Sequence, residues 1–496
     1  MPDRPWRGRE DMEKIEALLQ IKKMCAERAT DSLFECILYA RDLAPVPALL
    51  VDPLFRTMPD LVVRPADAEE VSAILKLASA AGIPVTPRAG ASTVYFNTVP
   101  ARGGIVLDLN LLRGVVELDE ENLTVTVKAA TTWGELEHYL NTRGLAPLSV
   151  PSSAPSASIG GWFTMMGYGI GSLKYGSLLS QVQAAEVVLP DGEIRGLTPE
   201  SDPPLDWFAA SEGTLGIVTR LKIAIRRNNP MRHYLLHSPN LGEIAEVLMV
   251  VKDSGVTPYN LHFTDDACVQ AMHRQGIAPD GVSGGCLLAI DYEGMPEELA
   301  AAEQTVESLV AVSRTVSFLS PEAALEEWDE RYKSLKLKRS GPSELGGEVW
   351  LPVQSLVPYL ADIKQLARRL HLGLCTYGHV ASPERAIVMT MFFADETKVF
   401  DYIIGLSLVK KIHDVGYRHG GYPYGVGLWN TPYLGRIFTG RRLAELRARK
   451  ERLDPKGLLN PGKLYRWPLL LNPLFFAVGM DCLAGIRSLT GGGSCR

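Results

Sequence analysis

Residues 151–178 read PSSAPSASIGGWFTMMGYGIGSLKYGSL, with Gly160, Gly161, Gly167, Gly169, Gly171 and Gly176 inside one short span. Glycine costs backbone entropy on folding. Such a concentration points to a close approach between backbone and a large ligand, or to a turn-rich β region. Upstream, PRAGAST (87–93) packs small residues into a strand-to-loop turn. The N–H groups of Gly90, Ala91, Ser92 and Thr93 can converge on phosphate oxygens as an anion nest does, although alone the stretch reads first as a plain turn. It is not a G-x-G-x-x-G run opening a long helix, which argues against a Rossmann dinucleotide site. Downstream, ASEGTLGIVTRLKIAI (210–225) is a glycine turn entering an apolar strand. A turn-rich β region accounts for each piece separately and poorly for the three in this order.

Working outward from these pieces, helical periodicity without Gly or Pro over 12–42 predicts an N-terminal helical extension. Asp67, with Glu70 at the third helical position, predicts a capped helix with Val71, Ile74, Leu75 and Ala78 on one apolar face. Short strands are expected at 83–86, 105–109, 115–118 and 123–127, and a helix over 132–142 that stops at Gly144. Beyond Ile225, helical patterns (241–252, 297–312, 356–370) alternate with strand-like runs (287–292, 386–392). The mixed βα and ββ order is that of an α+β protein.

The chain has 496 residues, too many for one simple core, with 46 % hydrophobic and 22 % charged residues. A net charge of −6 argues against a nucleic-acid binder. The seven cysteines include no C-x-x-C pair, so neither a structural zinc nor an iron–sulfur cluster is expected, and buried thiols in a reducing compartment are.

RAGAST, PSSAPSASIGGW, KYGSLLSQVQAAEVVLPDGE, SEGTLGIVT and DPKGLLNPGK together resemble the FAD-linked oxidase superfamily of vanillyl-alcohol oxidase and the glycolate/D-lactate dehydrogenases. The resemblance runs from about Asp60 to Tyr465. It implies a two-part PCMH-type FAD-binding domain (59–228), a second α+β substrate or cap domain (229–430) and a C-terminal return to the FAD domain (431–466). The extension at 1–58 and an apolar tail at 467–496 complete the expected organisation. The implied cofactor is FAD, held by Arg88, Ala89, Gly90, Ala91, Ser92, Thr93, Ser153, Ser158, Ile159, Gly160, Gly161, Gly169, Ser172, Tyr175, Glu212, Gly213, Gly216 and Ile217, with Asn460 and Lys463 on the return segment. Some relatives anchor the flavin through a His in the first loop. Here that loop carries Ser92 and neither His nor Cys, so non-covalent FAD is expected.

The 2-hydroxyacid branch of that family carries two histidines and a glutamate on a divalent metal. This chain keeps His379 in YGHVASPERAIVMTM (377–391), but Ala386 stands where the second His falls, and Pro423 and Tyr424 replace Glu-His. One imidazole is a poor divalent site, so no catalytic metal is expected. His379 then becomes a candidate general base, since its ordinary pKa suits proton abstraction at neutral pH. The alternative is a hydrogen-bonded structural histidine. Arg331, in EEWDERYK, matches the W-x-x-R arginine that grips the substrate carboxylate in that branch, a task suited to a bidentate guanidinium. A solvated arginine on a charged helix is the alternative. Tyr377, Tyr424, Tyr422 and Trp429 fall on the same expected wall, either as core aromatics or as an apolar substrate pocket.

The expected reaction is two-electron oxidation of an alcohol carbon, with hydride passing to the flavin and His379 or Tyr424 accepting the hydroxyl proton, and a small D-2-hydroxy acid (lactate- or glycolate-like) as first choice of substrate. A benzylic or phenolic alcohol and a flavin electron-transfer subunit of a larger complex are kept as alternatives. The electron acceptor is left open, an electron-transfer protein or iron–sulfur subunit among the options. The charged start reads as cytosolic. WPLLLNPLFFAVGM (467–480) is too short for a span, which needs about 20 residues. Packing on the protein's own surface is its first reading, followed by docking to a partner subunit or a second copy, and then shallow membrane contact.

Overall fold

The computed structural model describes residues 9–45, 51–165, 167–465 and 473–490. Three sheets organise them. In the first, Leu61–Val63 and Val85–Arg88 run parallel to Ile105–Asp108 between them. Helix Ala68–Ala80 covers this sheet. Asp67 caps it by accepting from the Glu70 N–H at 2.8 Å, and Val71, Ile74, Leu75 and Ala78 are buried beneath it. The segment expected as a purely helical extension departs from that reading. Ala29–Thr30 pairs antiparallel with Leu61–Val63, between helices Arg9–Cys25 and Leu33–Tyr39. A two-residue strand is too short to carry a period, and its pairing is long-range.

The second sheet runs Val115–Asp119, Thr124–Lys128, Ile217–Arg227, Val182–Val188, Ile194–Leu197, with Leu145–Pro147 also paired to Ile217–Arg227. Helix Trp133–Asn141 begins with the reciprocal Thr132/Glu135 capping box. Trp133, Leu136 and Leu140 anchor it in the core.

The third sheet is antiparallel and has eight strands. Their order is Ser317–Phe318, Met231–Ser238, Cys286–Glu293, Asn260–Thr264, Cys375–Ser382, Arg385–Ala394, Ser343–Pro352, Tyr422–Pro423. Helices Leu241–Lys252, Pro296–Val312, Leu356–Leu370 and Val399–Arg418 pack on one face through a large apolar cluster. In Leu356–Leu370 the buried residues Leu356, Tyr359, Leu360, Ile363 and Leu366 follow helical spacing. The other face, with Glu348, Tyr377, His379 and Met389, looks toward the half built on the first two sheets.

After helix Gly440–Leu453 the chain returns to the first sheet. Val85 N–H donates to Leu458 O at 2.9 Å, and Asn460 N–H to Val85 O at 2.7 Å. Of the apolar tail, Trp467–Asn472 lie outside the described residues. The remainder begins helix Pro473–Thr490, which packs against Val399–Arg418. Asp481 bridges Lys410 (3.0 Å) and Lys411 (2.7 Å), and the Phe476 ring meets Tyr433 edge-on at 5.7 Å. The tail helix thus packs on the protein's own surface. Among the described residues, no helix is long and apolar enough to cross a membrane. Cys25, Cys36, Cys268, Cys286 and Cys375 are buried free thiols, and Cys482 is exposed.

Candidate active site

A cavity of about 370 Å³ lies between the two halves, a volume within the range of small-molecule sites. Its floor is built from the three sequence stretches that opened the reading. Arg88, Ala89, Gly90, Ala91, Ser92, Thr93, Ser153, Ser158, Gly160, Gly161, Glu212, Gly213, Gly216, Ile217 and Asn460 all line it. A Cβ on Gly90 would run into the Ser156 carbonyl oxygen, so glycine lets the first loop lie flat on the 153–158 turn. Ala91 adopts φ 49°, which turns the loop's amides in one direction. The N–H groups of Gly90, Ala91 and Ser92 meet no acceptor among the described residues. A loop of free N–H donors on a cavity floor fits the pyrophosphate of FAD. Arg88 stacks over the Tyr39 ring at 5.1 Å and donates to Arg41 O at 2.6 Å, so it braces the loop from beneath.

Five residues carried over for FAD do not line this cavity. Ile159 is fully buried in the core. Gly169 N–H donates to Ser172 Oγ at 2.9 Å, fixing the turn before a short helix. The Tyr175 hydroxyl binds Glu293 of the third sheet. Lys463, 1 % exposed, donates to Val99 O and to Asn460 Oδ1. These residues shape the walls from behind, because the glycine-rich stretch must fold on itself as well as face a ligand.

The roof comes from the third sheet. Strand Ser343–Pro352 alternates strictly, placing Glu344, Gly346 and Glu348 on the cavity side. Tyr95, just past the first loop, donates its hydroxyl to Glu348. The turn at Gly425 and Gly427 closes over Tyr95, whose carbonyl accepts from Leu428 N–H (2.9 Å) and Trp429 N–H (3.2 Å). Burial pushes the Glu348 carboxyl up to about 6, with the Tyr95 hydrogen bond opposing the rise. Burial and the Glu348 charge hold the Tyr95 phenol well above its usual range. Tyr424, also on the wall, accepts from Tyr168 N–H at 3.0 Å, and Trp350 stacks between those two rings at 4.7 and 5.8 Å. Glu344 and Glu212 are each raised to about 7 by burial.

Glu348, Tyr377, His379, Ile387 and Met389 separate this cavity from a smaller one of about 90 Å³. His379 pairs across strands with His262, and its Nε2 has no partner among the described residues. Burial, followed by the His262 ring, lowers its pKa to about 3. The imidazole is therefore neutral at physiological pH and holds a captured proton weakly. Arg331 lines the smaller cavity, not the larger. Its guanidinium is held by Glu137 of helix Trp133–Asn141 at 2.8 Å and by Trp328 O at 3.0 Å. Tyr332 reaches the other Glu137 oxygen at 2.9 Å. The residue expected to grip a substrate carboxylate thus pins the two halves together, because Glu137 reaches it first.

Tyr95, Glu348, Asn97, Tyr168 and Glu344 were not foreseen. The alternation of SELGGEVWLP (343–352), with two carboxylates on one face, is the signal that could have found Glu348.

Two family models match the chain. An FAD binding domain matches 59–198, and the C-terminal domain of FAD linked oxidases matches 227–464. Glycolate oxidase subunit GlcD of Bacillus subtilis is 26 % identical over 430 residues, covering 83 % of this chain and 90 % of that protein. Mitochondrial D-lactate dehydrogenase (cytochrome) of Arabidopsis thaliana is 26 % identical over 425 residues, covering 82 % and 73 %. In fold, the chain superposes on p-cresol methylhydroxylase with a TM-score of 0.79 at 16 % identity (92 % and 97 % covered). It superposes on alkyldihydroxyacetonephosphate synthase with a TM-score of 0.72 at 19 % identity (93 % and 87 % covered).

Proposed function

The chain belongs to the FAD-linked oxidases, and on that premise we propose that it oxidises an uncharged aromatic alcohol, with Glu348 taking the hydroxyl proton. FAD, when bound, supplies the two-electron acceptor. The protein supplies position and proton chemistry. The observation that carries this reading is the Glu348 carboxylate on the cavity wall, held by Tyr95 and flanked by Tyr377 and Tyr424. A carboxylate with a pKa near 6 is mostly ionised at neutral pH, yet basic enough to accept a proton in the transition state. Its charge disfavours a second carboxylate beside it. Tyr424, fixed by the Tyr168 amide, orients the ring or hydroxyl of a bound alcohol. Ile387, Met389 and Leu345 supply apolar contact and exclude water.

A second reading, a small D-2-hydroxy acid, is supported by the likeness to the glycolate and D-lactate enzymes and by one local feature. The buried Arg331 Nε has no partner and lines the adjoining cavity. Anaerobic reduction of the flavin by a panel of aromatic alcohols and 2-hydroxy acids separates the two. Bleaching by benzylic or phenolic alcohols alone is the expected result. Bleaching by hydroxy acids alone overturns the first reading.

A further inference from the structure

A third concavity, of about 510 Å³, shares Asn460 with the FAD cavity but none of its other lining residues. Its walls are Arg102, the end of helix Gly440–Leu453 (Arg447, Lys450, Glu451) and the returning turn from Asp454 to Lys463. Lys450 is internally satisfied: Nζ donates to Thr214 O (2.7 Å), Leu459 O (2.8 Å) and Asp454 Oδ2 (2.5 Å). Asp454 is used equally fully, accepting from the Leu458 and Leu459 N–H groups as well. With that pair neutral, Arg102 and Arg447 line the crevice beside a single remaining carboxylate, Glu451, while the Lys456 Nζ donates to Ser79 O (2.7 Å) and the buried Lys463 Nζ to Val99 O and Asn460 Oδ1.

The guanidinium groups of Arg102 and Arg447 have neither an ion pair nor a hydrogen bond among the described residues. The Arg102 charge is close enough to bear on the Lys450 ammonium and oppose its protonation. Like charges gathered in a concavity repel one another and concentrate counter-ions there. The returning turn adds a backbone donor at Gly462, which lines the crevice with φ 92°. The Gly462 N–H meets no acceptor among the described residues. Guanidinium groups match phosphate oxygens in bidentate geometry, and the volume exceeds what one small ion fills.

We infer that this crevice binds a small anion bearing phosphate groups, at a site separate from FAD. The inference stands independently of the substrate reading. Asn460 connects the two sites, since its Nδ2 donates to Glu212 O (2.6 Å) and Asn97 O (3.1 Å), both residues of the FAD cavity wall.

Isothermal titration of the FAD-loaded protein with inorganic pyrophosphate, and separately with adenosine diphosphate, tests it. Both are expected to bind, more weakly as salt rises. Arg102→Ala with Arg447→Ala should weaken binding at least ~10-fold, with flavin content and flavin reduction rate unchanged. The lysine pair Arg102→Lys with Arg447→Lys should fall between, keeping charge and losing the planar fork. Equal affinity for the two probes assigns recognition to the phosphates alone. Tighter diphosphonucleoside binding assigns it to a nucleotide. Absence of heat with either probe, or affinity indifferent to both double substitutions, overturns the inference.

Discussion

The Tyr95 hydroxyl donates to the Glu348 carboxylate across the seam between the FAD-binding loop and the third sheet. The contact joins residues 253 positions apart in sequence. It also couples the first loop to the carboxylate proposed to take the substrate proton.

Replacing Glu348 with Gln should slow flavin reduction by about 100-fold or more, the usual scale for loss of a general base. In the unaltered enzyme the base form is lost as pH falls through about 6, so the rate should decline on that acid side. Tyr95→Phe removes a hydrogen bond that favours the ionised carboxylate. The acid limb should then move up by about one pH unit, the equivalent of one hydrogen bond of about 1.4 kcal/mol. Stopped-flow reduction across pH 5–9 measures both. An acid limb that stays in place in Tyr95→Phe would separate Glu348 from the proton transfer.

Arg331→Ala and Glu137→Ala should behave alike. Both partners are largely buried, with side chains 16 % and 19 % exposed. Losing one leaves the other without its counter-charge, at a cost of about 2 kcal/mol, read as a fall of a few degrees in Tm. Reduction by an uncharged aromatic alcohol should change less than about threefold in both variants, whereas loss of a substrate carboxylate contact at Arg331 would cost ~30- to 1000-fold. A kinetic collapse confined to Arg331→Ala would favour the hydroxyacid reading.

Gly90→Ala should give folded but colourless protein, because the added methyl collides with the Ser156 carbonyl and lifts the first loop from its seat. Circular dichroism and the flavin absorption ratio report the two quantities. Acid precipitation of the unaltered protein should release FAD into the supernatant. Colour retained in the pellet would mean a covalent link.

Truncation after Arg466 removes helix Pro473–Thr490 from its seat on Val399–Arg418. Lys410, now 8 % exposed, would lose Asp481, and Tyr433 would lose Phe476. Lower Tm and increased dye binding to apolar surface are expected, with FAD retained because the nucleotide floor lies elsewhere. A truncated protein of unchanged Tm would assign the tail to a partner instead.

That the glycine-rich stretches meet on one cavity floor was legible because their signals are local. Glycines crowd at 151–178, Asp67 and Thr132 announce helix starts, and each functions where it stands in the chain. Strands such as Ile105–Asp108 and helices such as Leu356–Leu370 fall at their expected positions for the same reason. The wall that carries Glu348 was not legible. Glu348 gains meaning only when Tyr95 and the Gly425–Gly427 turn arrive from distant segments. Arg331 matched a local W-x-x-R spacing, but its partner Glu137 lies 194 positions earlier, and no local pattern encodes that capture. His379 likewise looked basic in isolation, until burial beside His262 lowered its affinity for protons.

The return of Leu458–Asn460 to the flank of Val85 also bears on biosynthesis. The edge of the first sheet stays unfinished until residue 460 has been made, since the third sheet is inserted between its components. Domains generally fold in the order of synthesis, but here strand Val85–Arg88 waits for a segment made after the whole third sheet. A nascent chain stalled before residue 458 would expose the Val85 strand edge, a site where unpaired backbone invites misassembly.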